Sequence, residues 1–99
     1  MEFILKTPIE TAKDLSIRLK ELRLLKSWKR STLAMRSGVT ESSLKRFEQT
    51  GKVSMENFLK LIFALGRLDE MDALLIPPTA LSLKDLKKNE KKISKRGTI

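Results

Sequence analysis

Gly38 lies between two short stretches of helical periodicity, and it constrains the chain more than any other position. The run Arg30 to Gln49, RSTLAMRSGVTESSLKRFEQ, places Leu33 and Ala34 before the glycine and Val39, Leu44 and Phe47 after it. Ala34 is small enough for a second helix to pack closely. Leu44 and Phe47, three residues apart, give that second helix an inward stripe. A tight reversal between two helices needs a residue with φ > 0, which is cheap only for glycine. Thr40 follows as an N-cap whose hydroxyl can accept from the free N–H groups of the first turn. The pattern predicts a helix-turn-helix, which lets a second helix enter the major groove of DNA. Its outward face carries Glu41, Ser42, Lys45 and Arg46, all hydrogen-bonding side chains.

The flanking sequence predicts three more helices. Residues 2–6 are β-compatible, and Pro8 is expected to stop any helix there. The segment 1–9 therefore reads either as a short strand that pairs with a second subunit or as a disordered end. A first helix is expected from Glu10 or Thr11 to about Lys26, with Ala12, Leu15, Leu19 and Leu22 on one face. Trp28, the only tryptophan, falls in the connection and is expected to pack into the core. Gly51 ends the third helix, and Ser54 caps a fourth. There Met55, Phe58, Leu59, Ile62 and Leu65 form the apolar stripe. Leu61, Phe63 and Ala64 leave little polar surface opposite, so a second subunit could cover that side. Gly66 closes this helix. A fifth is expected from about Leu68 to Leu75, with Asp69, Glu70 and Asp72 near its positive end, before Pro77 and Pro78. The domain is thus expected to span 10–76. The tail, 77–99, ends in KKNEKKISKRGTI, which is charged, lacks a packing stripe and is expected to be disordered alone. The fold class is all-α.

Charge narrows the class of function. The chain has 21 basic and 12 acidic residues among its 99, net +9. The excess is concentrated, with +5 in residues 26–52 and +5 in residues 84–99. A basic concentration that coincides with a DNA-reading motif suits a polyanion. Histidine and cysteine are absent, which removes the commonest general base and metal ligands and disulfides. No catalytic residue, metal or cofactor is expected. No apolar run nears the roughly 20 residues that span a bilayer, so no membrane partner is expected. A cytoplasmic, nucleoid-associated bacterial protein is expected.

Leu22-Arg23, Leu33-Ala34, Gly38-Val39, Ser42 to Glu48, Gly51 and Ala64-Leu65-Gly66 occur in the order and spacing of the lambda-repressor-like, xenobiotic-response-element family. The chain resembles that family over about residues 10–76. More narrowly, FILKTP, LKRFEQTGKVSMENFLKL, ALGRLDE and the basic tail resemble HipB-type antitoxins, which accompany HipA-type serine/threonine kinase toxins. The resemblance implies a five-helix DNA-binding domain that represses its own operon. It implies partnership with the kinase, or with the separate small protein to which some operons delegate neutralisation. It also implies roles for particular residues. Glu41, Ser42, Lys45 and Arg46 match base-facing positions, Thr40 and Ser43 match backbone-facing positions, and Arg23 and Glu48 match an ion pair between helices. Arg30 stands where the family often has a glutamine that bonds a phosphate and braces the recognition helix. Ser37 replaces a larger apolar residue, which would loosen the packing or face water.

Lys29, Arg30 and Lys52 are further candidates for phosphate contacts, which carry salt dependence rather than sequence readout. One domain touches few base pairs, so a homodimer on an inverted-repeat operator is expected. Leu61, Phe63, Met71, Leu74 and Leu75 are its candidate interface. A repressor without a toxin and a protein-binding adaptor that does not read DNA are the competing readings. The tail could follow DNA phosphates, dock on an acidic partner or have no ordered role.

Overall fold

A computed structural model describes residues 6–78. The expected N-terminal strand and most of the expected tail lie outside them. The described residues are helical: α1 (Pro8–Leu25), α2 (Arg30–Ser37), α3 (Glu41–Thr50), α4 (Met55–Ala64) and a 3-10 segment (Leu68–Ala73). One compact unit ends at Asp69 and another begins at Glu70. No helix among the described residues is long and apolar enough to cross a membrane.

α1 starts earlier than the sequence reading expects. Pro8 opens the helix instead of blocking it, because its missing N–H falls where no intrahelical acceptor exists and its φ is already helical. Thr7 caps it through a reciprocal capping box, in which its hydroxyl accepts from the Glu10 N–H at 3.1 Å and Glu10 Oε1 accepts from the Thr7 N–H at 2.9 Å. The core face of α1 also differs. Leu19 is buried as expected, but its buried companions are Ser16 and Arg23, while Leu15 is 37% exposed. Ser16 tolerates full burial because its hydroxyl donates to the Lys13 carbonyl at 2.7 Å. Arg23 tolerates it through an ion pair described below.

The helix ends follow from local chemistry. At the end of α1 the Ser27 N–H donates to the Leu24 carbonyl and the Trp28 N–H to the Arg23 carbonyl, with Ser27 at φ 58°. This is a Schellman ending with serine in the left-handed position. Gly38 ends α2 at φ 79° and Gly51 ends α3 at φ 81°. Ser37, where a loosened packing or a water-facing side chain is expected, makes two local hydrogen bonds. Half-buried, it donates to the Ala34 carbonyl at 3.3 Å and accepts from the Val39 N–H at 3.2 Å.

α3 packs on α1 and α2, and α2 packs on α4. Leu19, Leu33, Val39, Leu44, Phe47, Leu61, Ile62 and Leu65 form the core. Phe47 meets Phe58 edge to face, with ring centroids 5.8 Å apart. α4 is rotated from the expected orientation. Leu61, Ile62 and Leu65 are buried and Phe58 and Leu59 half-buried, whereas Met55 is exposed. Leu61 is therefore a core residue, fully buried within one chain, and not the dimer contact expected of it. A helix apolar nearly all round offers two candidate inward faces, and periodicity alone does not choose between them. The expected fifth helix is a 3-10 segment that ends at Ala73 and buries none of its residues.

The two helix-ending glycines should tolerate substitution differently. A Cβ on Gly38 would meet nothing within 4 Å, whereas one on Gly51 would lie 3.1–3.2 Å from the backbone of Ala12 and Lys13 in α1. Gly38→Ala should cost about 1 kcal/mol, the left-handed penalty alone. Gly51→Ala should cost clearly more, because the α1–α3 contact must also open. Urea unfolding of both variants measures the difference, and equal costs would contradict the close approach.

Candidate nucleic-acid interface

The candidate interface is built on α3. Its N-cap, Thr40, accepts from the Ser43 N–H at 3.1 Å and donates to Ser43 Oγ at 2.8 Å. These two expected backbone-contacting hydroxyls thus fix the start of α3 and each other. Thr40 is exposed and Ser43 half-buried. Leu44, Phe47 and Glu48 are buried on one side of the helix, and Glu41, Ser42, Lys45 and Arg46 are exposed on the other. All four expected base-facing residues therefore share the solvent-facing side. Gln49 joins them, also exposed. Helical spacing from Lys45 and Arg46 could have included it.

The opposite end of α3 is pinned to α1. Lys13 Nζ donates to the Gln49 carbonyl at 2.6 Å, a cation at the negative end of a helix. Beyond it, an open polar cleft is lined by Ser43, Arg46, Lys52, Val53, Ser54 and Asn57. The cleft brings the expected phosphate contact Lys52 beside the expected base reader Arg46. Asn57, unassigned by sequence reasoning, shares it. Ser54 caps α4 by accepting from the Asn57 N–H at 3.1 Å.

Beneath the exposed face lies a buried ionic cluster. Arg23 Nε donates to Glu48 Oε2 at 2.8 Å, and Arg23 Nη2 to Glu48 Oε1 at 3.1 Å. Arg30 Nε donates to the same Oε1 at 2.9 Å. The Arg23 and Glu48 side chains are 6% and 1% exposed, and that of Arg30 is 32% exposed. The ion pair implied by the resemblance is present and is bidentate. The bond from Arg30 supplies the bracing that the resemblance assigns to a glutamine, with a full charge added. Arg30 Nε is committed inward to Glu48, while the side chain as a whole keeps about a third of its surface exposed. Lys29 is the exposed N-cap residue of α2.

Of the remaining expected interface residues, Phe63 is 68%, Leu74 58% and Leu75 91% exposed. Met71 is half-buried. Comparison of the chain with protein-family models, with curated proteins and with solved structures gives no match.

Burial pushes the Glu48 carboxyl up, but the hydrogen bonds and charges of Arg23 and Arg30 outweigh it and hold the group below its ordinary value of 4.5. A depressed carboxylate stabilises the fold above its unfolded-state pKa and loses that contribution as pH falls through the lower folded value. Glu48→Gln should therefore destabilise by about 3–5 kcal/mol at neutral pH, because it strands two guanidiniums. The gap from wild type should narrow as pH falls below 4.5. Urea midpoints across that range measure it, and a gap independent of pH would contradict the assignment.

Proposed function

We propose that this chain is a sequence-specific DNA-binding transcriptional repressor of lambda-repressor-like fold. It acts as a homodimer on an inverted-repeat operator. On its resemblance to HipB-type antitoxins, it is the antitoxin component of a HipA-type operon, associating with the kinase toxin or its accessory protein. The observation that carries the DNA reading is the two-sided character of α3. Glu41, Ser42, Lys45 and Arg46 are exposed together while Leu44, Phe47 and Glu48 are buried, on a helix entered from α2 through a left-handed glycine. The resemblance alone supports the toxin partnership.

Each exposed residue has a chemical role in this reading. The Arg46 fork can bond both guanine acceptors in the major groove, and Lys45 can bond either a guanine or a phosphate. Glu41 can accept from cytosine N4 while repelling nearby phosphates, which sharpens specificity at the expense of affinity. Ser42 can donate or accept. In this reading Lys29, the terminal nitrogens of Arg30, and Lys52 neutralise phosphates, which fixes register without reading sequence. The hydroxyls of Thr40 and Ser43 can meet the backbone at the helix start.

A titration against the DNA upstream of the chain's own gene, with a shuffled duplex as control, tests the readout. Arg46→Ala and Lys45→Ala should each reduce discrimination between the two by about 1–3 kcal/mol. Discrimination untouched by both substitutions would contradict the assignment.

The dimer reading draws on an apolar strip along α4. Met55 and Phe63 are each 68% exposed, and the half-buried Leu59 lies between them. Residues four apart on a helix share a face, and exposed apolar stripes of this kind mark interaction surfaces. Leu74 and Leu75 remain as further candidates. Phe63→Glu should sediment as a monomer and bind the upstream DNA more weakly. An unchanged dimer would remove this face from the interface.

A further inference from the structure

The α1–α2 corner carries a basic cluster that recognition by α3 does not use. Trp28 is half-buried there. Lys26 Nζ lies 5.4 Å and Arg36 Cζ 4.6 Å from its ring centroid. Both distances are within cation–π range. Neither cation makes an ion pair among the described residues. From Lys26 to Thr40 the sequence has four basic residues, Lys26, Lys29, Arg30 and Arg36, and no acidic one. The corner is also tied to the interface, because Arg23 Nη1 donates to the Trp28 carbonyl at 2.8 Å while the same guanidinium grips Glu48.

A carboxylate partner would order a lysine or arginine by neutralising it. An aromatic face orders the same side chain and leaves its charge available. Lys26 and Arg36 are therefore restrained in position yet remain attractive to a polyanion, and they continue the positive surface that starts at Arg30. We infer that the Lys26–Trp28–Arg36 cluster is a second DNA-backbone site. It binds phosphates flanking the segment read by α3 and widens the footprint on the α1–α2 side. This rests on the DNA-binding reading of α3. It assigns Trp28 a positioning role for two phosphate-binding cations.

The test is fluorescence anisotropy of the full chain with a labelled duplex of arbitrary sequence, roughly two helical turns long, over a range of salt. Lys26→Gln with Arg36→Gln should make the log–log salt slope shallower by about 1.8, or 0.9 per phosphate contact. Between about 50 and 200 mM salt the double variant should then lose roughly tenfold less affinity than wild type loses. The same loss of charge at Lys20 and Lys60, both exposed, should leave the slope unchanged. Trp28→Leu, which keeps both charges and removes the ring, should weaken binding with little change in slope. A slope of the Lys26/Arg36 variant equal to wild type, with wild-type binding intact, overturns this site and leaves the α3 reading standing. No binding of any duplex by wild type at low salt overturns both.

Discussion

Glu48 accepts three hydrogen bonds from two guanidiniums, one on α1 and one on α2, and the orientation of α3 depends on this junction. A carboxylate that is 1% exposed cannot stay ionised in a small core without such partners. Once paired, it fixes three helices at one point. The Gln49 carbonyl at the far end of α3 is held by Lys13, and the near end is set by Thr40. α3 is thus fixed at its start, middle and end. Its exposed residues can present a constant geometry to a rigid partner, and preorganisation of this kind reduces the ordering cost of binding.

The junction also shapes the electrostatics of the surface. Two guanidiniums share one carboxylate, so the cluster retains one net positive charge. Its surplus emerges at Arg30, the more exposed of the two arginines. Lys29 flanks it on the chain, and Arg36 and Lys26 extend the same sign across Trp28. The exposed face of α3 itself carries one negative side chain, Glu41, beside Lys45 and Arg46. The Asp14 carboxyl on α1 is held below its usual value chiefly by its hydrogen bond from Lys6. Arg30, Lys26 and Arg36 are thus cations held in position by Glu48 or by the Trp28 ring.

Much of this arrangement is legible in the sequence where a single residue type is the only inexpensive solution. Gly38 and Gly51 mark left-handed backbone, and Thr40 and Ser54 mark helix starts. The exposed side of α3 follows from spacing. Polar residues that become buried are less legible. Nothing in the periodicity of α1 distinguishes Ser16 and Arg23 from surface residues, because their burial depends on partners at Lys13 and Glu48. The resemblance implies the Arg23–Glu48 pair and a brace at position 30, and the structure shows that Arg30 shares the same carboxylate. Pro8 is ambiguous in the sequence because a proline stops a helix from inside it but opens one from its first turn, as it does here. On α4 the expected stripe includes Met55 and leaves out Leu61. With apolar residues nearly all round, periodicity alone does not choose the inward face. Packing against α2 brings Leu61 in and leaves Met55 exposed.

Selection from a pool of random-sequence duplexes by the full chain, followed by sequencing of the retained DNA, tests the central claim most directly. The account predicts enrichment of an inverted repeat whose half-sites lie one helical turn, or a multiple of it, apart. Retained DNA with the same sequence distribution as the starting pool would contradict it.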